Sequence, residues 1–423
     1  MELLCGSRAE TLQRDMIEPP PSLRLPFPLS VASAFADRWP AQLVPIDVDR
    51  AKRTAERITG LCDYGDDGGF GRRLHATLES LKDTDWNLIG RVAVRTNLRW
   101  HLINRLNLVE LLKRRPELRQ IELAPPIVIV GLFRTGTTFL HNIMAADPNT
   151  RAGATWELAY PVGRARDLLG DEKWRRRRTA VPLLMTRMIA PDHNVVHHVT
   201  IDAFEEDFFL LENDMAGMKF VVGFGDWQYA WRMLEWDMEE PYRWHRLQLQ
   251  VLSAQRSARR WVLKCPWHLW NLDALLKVYP DARIVHIHRE VDKAIGSQCS
   301  LSARISCRIR RNVNLHDLGR FWADYSLAGL ERGLAARDRL PASQIYDVHL
   351  DALRAEPSAV LQNMYEHFDL PFDSALLQRF EQAAAKEPTF QQGVHDYRLE
   401  DFGLQAEAVR RQFASYRARF SVD

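Results

Sequence analysis

One short segment constrains the fold more than any other. Ile127-Val128-Ile129-Val130 is a β-branched run with no polar alternation, the pattern of a parallel strand buried on both faces. It enters the glycine-bearing turn Gly131–Gly136, and from Thr137 onward Phe139, Leu140, Ile143 and Met144 take helical spacing. Strand, turn and helix make half of a βαβ unit, and the theme recurs. Trp261-Val262-Leu263 predicts a strand, Leu269–Val278 a helix and Ile284-Val285-His286-Ile287 the next strand. Gln344–Val348 predicts a further strand, ahead of a helix after Pro357. Such alternation predicts an α/β fold, a P-loop-like parallel sheet flanked by helices.

Two regions stand outside the alternation. Residues 1–45 hold Pro19, Pro20, Pro21, Pro26 and Pro28 and predict an extended arm. From Val48 to Leu118 the apolar residues recur at three- and four-residue steps, predicting a helical extension that Pro116 closes. Residues 165–255 are rich in Arg, Trp and Met at helical spacing and predict a cap on the substrate side. The expected organisation is an N-terminal arm and helical extension over 1–120 and an α/β domain over 121–423, with 165–255 as its cap. A chain of 423 residues that is 46% hydrophobic has ample material for such a core.

Charge and cysteine usage narrow the function. Lys and Arg number 57 against 55 Asp and Glu, a net charge of +2, which excludes a strongly basic nucleic-acid binder. Cys5, Cys62, Cys265, Cys299 and Cys307 form no CxxC pair, as expected of a reducing compartment. Arg8, Glu10, Arg14 and Asp15 interrupt the N-terminus and no run of 18 apolar residues occurs. The expectation is a cytoplasmic enzyme with neither secretory leader nor transmembrane segment.

The chemistry concentrates in GLFRTGTT at 131–138. After a buried strand and before a helix, backbone N–H groups of such a turn point inward and cradle a phosphate-like anion. A triphosphate-binding P-loop carries Lys after its second glycine, but Thr137 stands there and the nearest cation is Arg134. A grip on one terminal phosphate, with the hydroxyls of Thr135, Thr137 and Thr138, fits better; a tight turn with no ligand is the plain alternative. No acid is placed to hold Mg²⁺, so no metal is expected. Arg289 leaves a strand end with Ser297 eight residues on, where a second phosphate can bind, although an Arg there is more often a solvated surface group.

Together these features resemble the sulfotransferases that use 3′-phosphoadenosine 5′-phosphosulfate (PAPS). The family's phosphosulfate loop, usually K-S-G-T-T-W, stands here as Arg134-Thr135-Gly136-Thr137-Thr138-Phe139. Its 3′-phosphate Arg and Ser are matched by Arg289 and Ser297. A bacterial branch adds GLxRTGTTxLH at 131–141, a WE pair at Trp156-Glu157, KxPxHL at Lys264–Leu269 and HxYxLExFGL at His395–Leu404. Departures are Arg134 for the commoner Lys, Phe133 for a frequent Pro and Cys265 for the usual Ser.

The resemblance implies in-line sulfuryl transfer from PAPS to the hydroxyl or amine of a small-molecule or lipid-like acceptor, with adenosine 3′,5′-bisphosphate (PAP) leaving. It implies Arg134 and Lys264 as cations at the reacting group, Phe139 as the adenine-stacking ring (a helix core aromatic fits its spacing almost as well), and Glu157 or His268 as base. A neutral His is the readier base at pH 7, with an ordinary pKa of about 6.5 against about 4.3 for Glu. Both remain candidates, His268 ahead. His193, His197 and His198 include an i, i+4 pair with metal-ligand spacing but no third ligand; Glu205-Glu206-Asp207 suits either the wall of an acceptor pocket or, as charge runs usually do, a solvated face; and Arg175–Arg178 beside Trp174 suits an anionic acceptor, a membrane surface or, more commonly, a solvated helix face. Trp227, Tyr229, Trp231, Met233, Trp236 and Trp244 suit an apolar acceptor pocket or a packed cap core. The competing classes are a P-loop kinase or NTPase and a non-catalytic nucleotide-binding protein. Either a monomer or a homo-oligomer is compatible with the pattern.

Overall fold

A computed structural model describes residues 20, 23–36, 44–65, 68–192, 199–257, 259–387 and 397–422. Four helices come first: α1 (Phe27–Ala36), α2 (Val48–Thr59), α3 (Gly69–Asp83) and α4 (Leu88–Arg114). The sheet then begins with β1 (Ile127–Gly131), α5 (Thr137–Met144) and the short β2 (Thr150–Arg151). A helical excursion follows, including α6 (Thr155–Ala159), α7 (Glu172–Ile189) and α8 (Glu239–Gln255). The chain returns to the sheet with β3 (Arg260–Lys264) and β4 (Arg283–His288), then α9 (Val291–Ile309), α10 (Leu315–Arg337), β5 (Ile345–His349) and α11 (Leu350–Ala355).

All five strands are parallel, in the order β2-β3-β1-β4-β5. β1 is central and wholly buried. Its alternate residues serve two cores: Val128 and Val130 pack with α2–α4, Leu263 and Trp322, whereas Ile127 and Ile129 pack with Phe139, Leu140 and Val285. The first cluster holds Leu74, Leu98 and Val128 together, so the helical extension shares the core of the sheet. The chain turns from one side of β1 to the other between β3 and β4, and the crevice at the carboxyl ends of these strands is where ligands bind in open α/β sheets.

Two local expectations are corrected, and one strand is added. The arm contains a helix, α1, because Pro26 and Pro28 flank its start, where proline is tolerated, and the following LSVASAFA carries none. The helix expected over Leu269–Val278 is two short ones, Trp267–Trp270 and Leu272–Val278, parted at Asn271 (φ −128°, ψ 28°). The edge strand β2 has two residues, too few to give a sequence period.

Candidate active site

The turn after β1 folds back over the end of the sheet. Gly136 caps α5 at φ +90°, a backbone that favours glycine, and a Cβ there would also push against the Leu350 side chain, 2.4 Å from its Cδ1. Arg134 also adopts a left-handed backbone, φ +67°, a conformation uncommon for residues other than glycine. Its carbonyl accepts a 2.6 Å hydrogen bond from Arg289 Nη1, and its own Nε donates to Ser297 Oγ at 3.2 Å. The loop and the Arg289/Ser297 pair, distant in sequence, therefore meet.

Two guanidiniums crowd at this meeting point. Burial and the neighbouring Arg289 push the Arg134 guanidinium below its usual range; burial and Arg354 do the same to Arg289. Arg289 Nε is buried with no hydrogen-bond partner among the described residues. Crowded, desolvated guanidiniums with an unused donor fit a phosphorylated ligand, whose charge would relieve both penalties. No side chain of Gly136 caps the N-terminus of α5; the Phe139 N–H already bonds the Gly136 carbonyl at 3.1 Å, which leaves the N–H groups of Thr137 and Thr138 without a carbonyl one turn back. Thr137 and Thr138 line the adjoining cavity. Thr135 does not: its hydroxyl donates to Leu132 C=O at 2.8 Å and fastens the turn. Phe139 is buried against Ile127, Ile129 and Leu140 on the core face of α5, which leaves no ring face for adenine.

A carboxylate cluster stands next to the anion site. Lys264, at the end of β3, is fully buried and its Nζ lies 3.0 Å from Glu206 and 3.9 Å from Glu205. Burial alone would lower the ammonium's pKa, but the two carboxylates outweigh it and hold Lys264 above its ordinary value. Of the two expectations for Glu205-Glu206-Asp207, the solvated run is set aside, since Glu205 and Asp207 are buried and Glu206 half-buried, and Glu205 and Glu206 line a cavity. Asp207 organises what lies behind. One oxygen accepts the Lys264 N–H at 2.8 Å; the other meets His245 Nε2 at 2.8 Å and His268 Nε2 at 2.7 Å.

Neither expected base has a free position. The second nitrogen of His268 is bonded to Tyr242 Oη at 2.8 Å, so both ring nitrogens are engaged in a fully buried network. Glu157 is buried against Arg151 at 2.7 Å and accepts the Ala154 N–H at 3.1 Å, closing the first turn of α6. It orients a loop. Glu206, by contrast, lines the cavity.

Asp207 carries a pH signature. Burial opposes its charge, yet His268 and His245 hold the carboxyl well below its usual range. Its folded-state pKa is below the unfolded value of about 3.9, so the stabilisation is present above about pH 4 and is lost as pH falls further. We expect the melting temperature of the wild type to drop more steeply from about pH 5 to pH 3 than that of Asp207→Asn, itself less stable at neutral pH. Parallel thermal-unfolding curves across that range would contradict the assignment.

The cavity beside Glu206 has a volume of about 340 Å³. Its lining combines charged groups, among them Arg134, Arg289, Arg354, Glu205 and Glu206, with apolar ones, among them Trp100, Phe133, Phe208, Phe209, Leu183 and Ile305. Lys219 also faces it, 4.1 Å from the Trp100 ring centroid. Of the two expectations for the aromatic run, packing within the fold is the one observed: Trp227 stacks on Phe321, Trp236 meets Tyr229 edge-on and Trp244 lies over Arg105. The signal missed was Trp100 on α4, a helix whose apolar spacing announced only a core. Arg175 is also buried, bonded to Tyr160 C=O and Gln255. His193, His197, His198 and His395 lie outside the described residues. His286, His288 and Asp347 have metal-ligand proximity, but the Arg337 guanidinium bonds both His286 and Asp347 and takes the place of an ion.

A parallel sheet with this turn, and cations gathered at its carboxyl edge, defines a P-loop-like group-transfer fold. The chain belongs to the sulfotransferase family, whose model matches residues 125–374. It is 24% identical over 300 residues to the omega-hydroxy-beta-dihydromenaquinone-9 sulfotransferase Stf3 of Mycobacterium tuberculosis, covering 67% of this chain and 71% of that one. Among solved structures it is similar to sulfotransferase STF1 from Mycobacterium tuberculosis (TM-score 0.74, 29% identity, 87% of this chain and 98% of that). Sulfotransferase STF9 from Mycobacterium avium aligns with TM-score 0.78 and 25% identity, over 90% of this chain and 98% of that. The family sets aside the kinase or NTPase alternative. Among the described residues, no helix is long and apolar enough to cross a membrane.

Proposed function

We propose that this chain transfers a sulfuryl group from PAPS to a hydroxyl carried on an apolar, lipid-like body, with Glu206 as the base. The observation that carries the proposal is the position of Glu206, held by Lys264 at 3.0 Å on the wall of a cavity lined by both arginines and apolar side chains. When bound, PAPS supplies an activated sulfuryl group on a phosphate leaving group. Arg289, Ser297 and Arg354 would hold its 3′-phosphate, and Arg134, Thr137, Thr138 and the α5 N-terminus its 5′-phosphate. Lys264 stays an ammonium at the carboxyl end of β3 and balances charge that develops during transfer. Glu206 takes the acceptor O–H proton, and its pairing with Lys264 fixes the carboxylate that must do so. Trp100, Phe208 and Phe209 receive the acceptor's apolar body. A relative named as acting on an omega-hydroxylated menaquinone accords with such an acceptor.

The donor assignment is tested by ligand-induced stabilisation. PAP should raise the melting temperature clearly more than 5′-AMP, and Arg289→Ala should abolish the difference. That variant should raise the KM for PAPS at least about tenfold with kcat little changed, the pattern of a contact made equally in ground and transition states. Equal stabilisation of the wild type by PAP and 5′-AMP would overturn the 3′-phosphate site.

A further inference from the structure

Helix α7 has two faces with different tasks. Thr179, Pro182, Leu183 and Thr186 line the cavity. On the outside, Val181, Leu184, Met185 and Met188 are exposed, Leu184 to 60%. These four lie on the same side of the helix as exposed Lys173 and Arg177, with Arg187 exposed beside them. The one exposed acid at the start of the helix, Glu172, is paired with Arg176. The outer face is therefore apolar toward its C-terminal half and basic at its margins. Helix α1 repeats the feature: Phe27, Val31 and Phe35, four residues apart, are exposed, Phe27 to 80%. The two helices are tied at one corner, because the Arg308 guanidinium donates to the Arg24 carbonyl at 3.2 Å and pairs with Asp192 at 2.7 Å. Arg24 lies just before α1 and Asp192 just after α7.

From this arrangement we propose that α7, with α1 beside it, docks the protein on an anionic lipid bilayer, so that an apolar acceptor passes from the bilayer into the cavity behind α7. A basic amphipathic helix with a thin apolar face lies in the headgroup region and buries that face without spanning the membrane. Its cations meet the negative surface potential of anionic lipid. A second copy of this chain is a poorer occupant, since self-association would set Lys173, Arg177 and Arg187 against their own equivalents. The acceptor route rests on the proposed function; the docking does not.

The test is co-sedimentation of the full chain, without donor or acceptor, with vesicles of phosphatidylcholine alone or with about one-third phosphatidylglycerol. The wild type should bind the anionic vesicles at least about tenfold more tightly than the neutral ones, and lose part of that preference at high salt. Val181→Asp/Leu184→Asp/Met188→Asp should bind at least about tenfold more weakly to anionic vesicles with an unchanged circular dichroism spectrum, since its positions are exposed. Should that variant fail to fold, Lys173→Glu/Arg177→Glu decides, and should lose the anionic preference. Wild-type protein that stays in the supernatant with both vesicles, or folded variants that bind as it does, would overturn the proposal. So would a concentration-dependent dimer that the triple variant breaks. Vesicle binding without sulfate transfer would instead sink the proposed function and leave this inference standing.

Discussion

Glu206→Gln is expected to lower kcat by about 10²–10⁴ while leaving PAP affinity nearly intact, the range for loss of a general base. The substitution keeps shape and an acceptor oxygen toward Lys264 but removes the group that takes the proton. Glu206 is the half-buried member of its run, on the cavity wall and 3.0 Å from Lys264. Two comparisons make the test specific. His268→Ala leaves Asp207 and Tyr242 short of a partner, which costs about 1–3 kcal/mol of stability for each buried group left unpaired. Glu157→Gln weakens the Arg151 pair that braces the start of α6. Both variants should melt earlier, yet turn over within about tenfold of the wild type when corrected for the folded fraction. If His268→Ala loses turnover at unchanged stability and Glu206→Gln does not, the base is His268.

Lys264→Ala is expected to reduce kcat by about 10²–10³, comparable to removing one preorganised donor from a developing charge, with little change in the KM for PAPS. Lys264 is buried, remains charged and has Glu206 as its nearest carboxylate. Its loss removes charge stabilisation and frees Glu206 to reorient. The contrast with Arg289→Ala carries the argument, since one variant should appear in kcat and the other in KM. Steady-state kinetics with saturating acceptor separate them; a shared pattern in both would contradict the division of roles.

The backbone frame of the site was legible in the chain itself. A buried strand, a glycine turn and a helix start are local features, and Ile127–Met144 forms them with little dependence on the rest. The convergence of Arg134 with Arg289 and Ser297 follows from adjacency of β1 and β4, a strand order that the βα alternation does not fix. Side-chain direction was less accessible. Phe139 was placed on the ligand side by motif position, but the pitch of α5 turns it toward Ile127 and Ile129. His268 has the residue type of a base, and only the fold reveals that Asp207 and Tyr242 occupy both its nitrogens. Glu206 ranked behind His268 and Glu157 because three adjacent acids fit a solvated face as well as a pocket wall. Asp207 anchors the run inside by capturing the Lys264 N–H, a bond between residues 57 apart in the chain that no local pattern records.

The most direct test of the central claim follows labelled sulfate from PAPS into an organic-extractable product, using long-chain and prenylated alcohols as acceptors and measuring PAP released. Wild-type protein is expected to form one PAP for each sulfated alcohol, with Glu206→Gln slowed by at least about 10². Transfer to water-soluble alcohols but to none of the apolar ones, or sulfation that Glu206→Gln carries out at the wild-type rate, would contradict it.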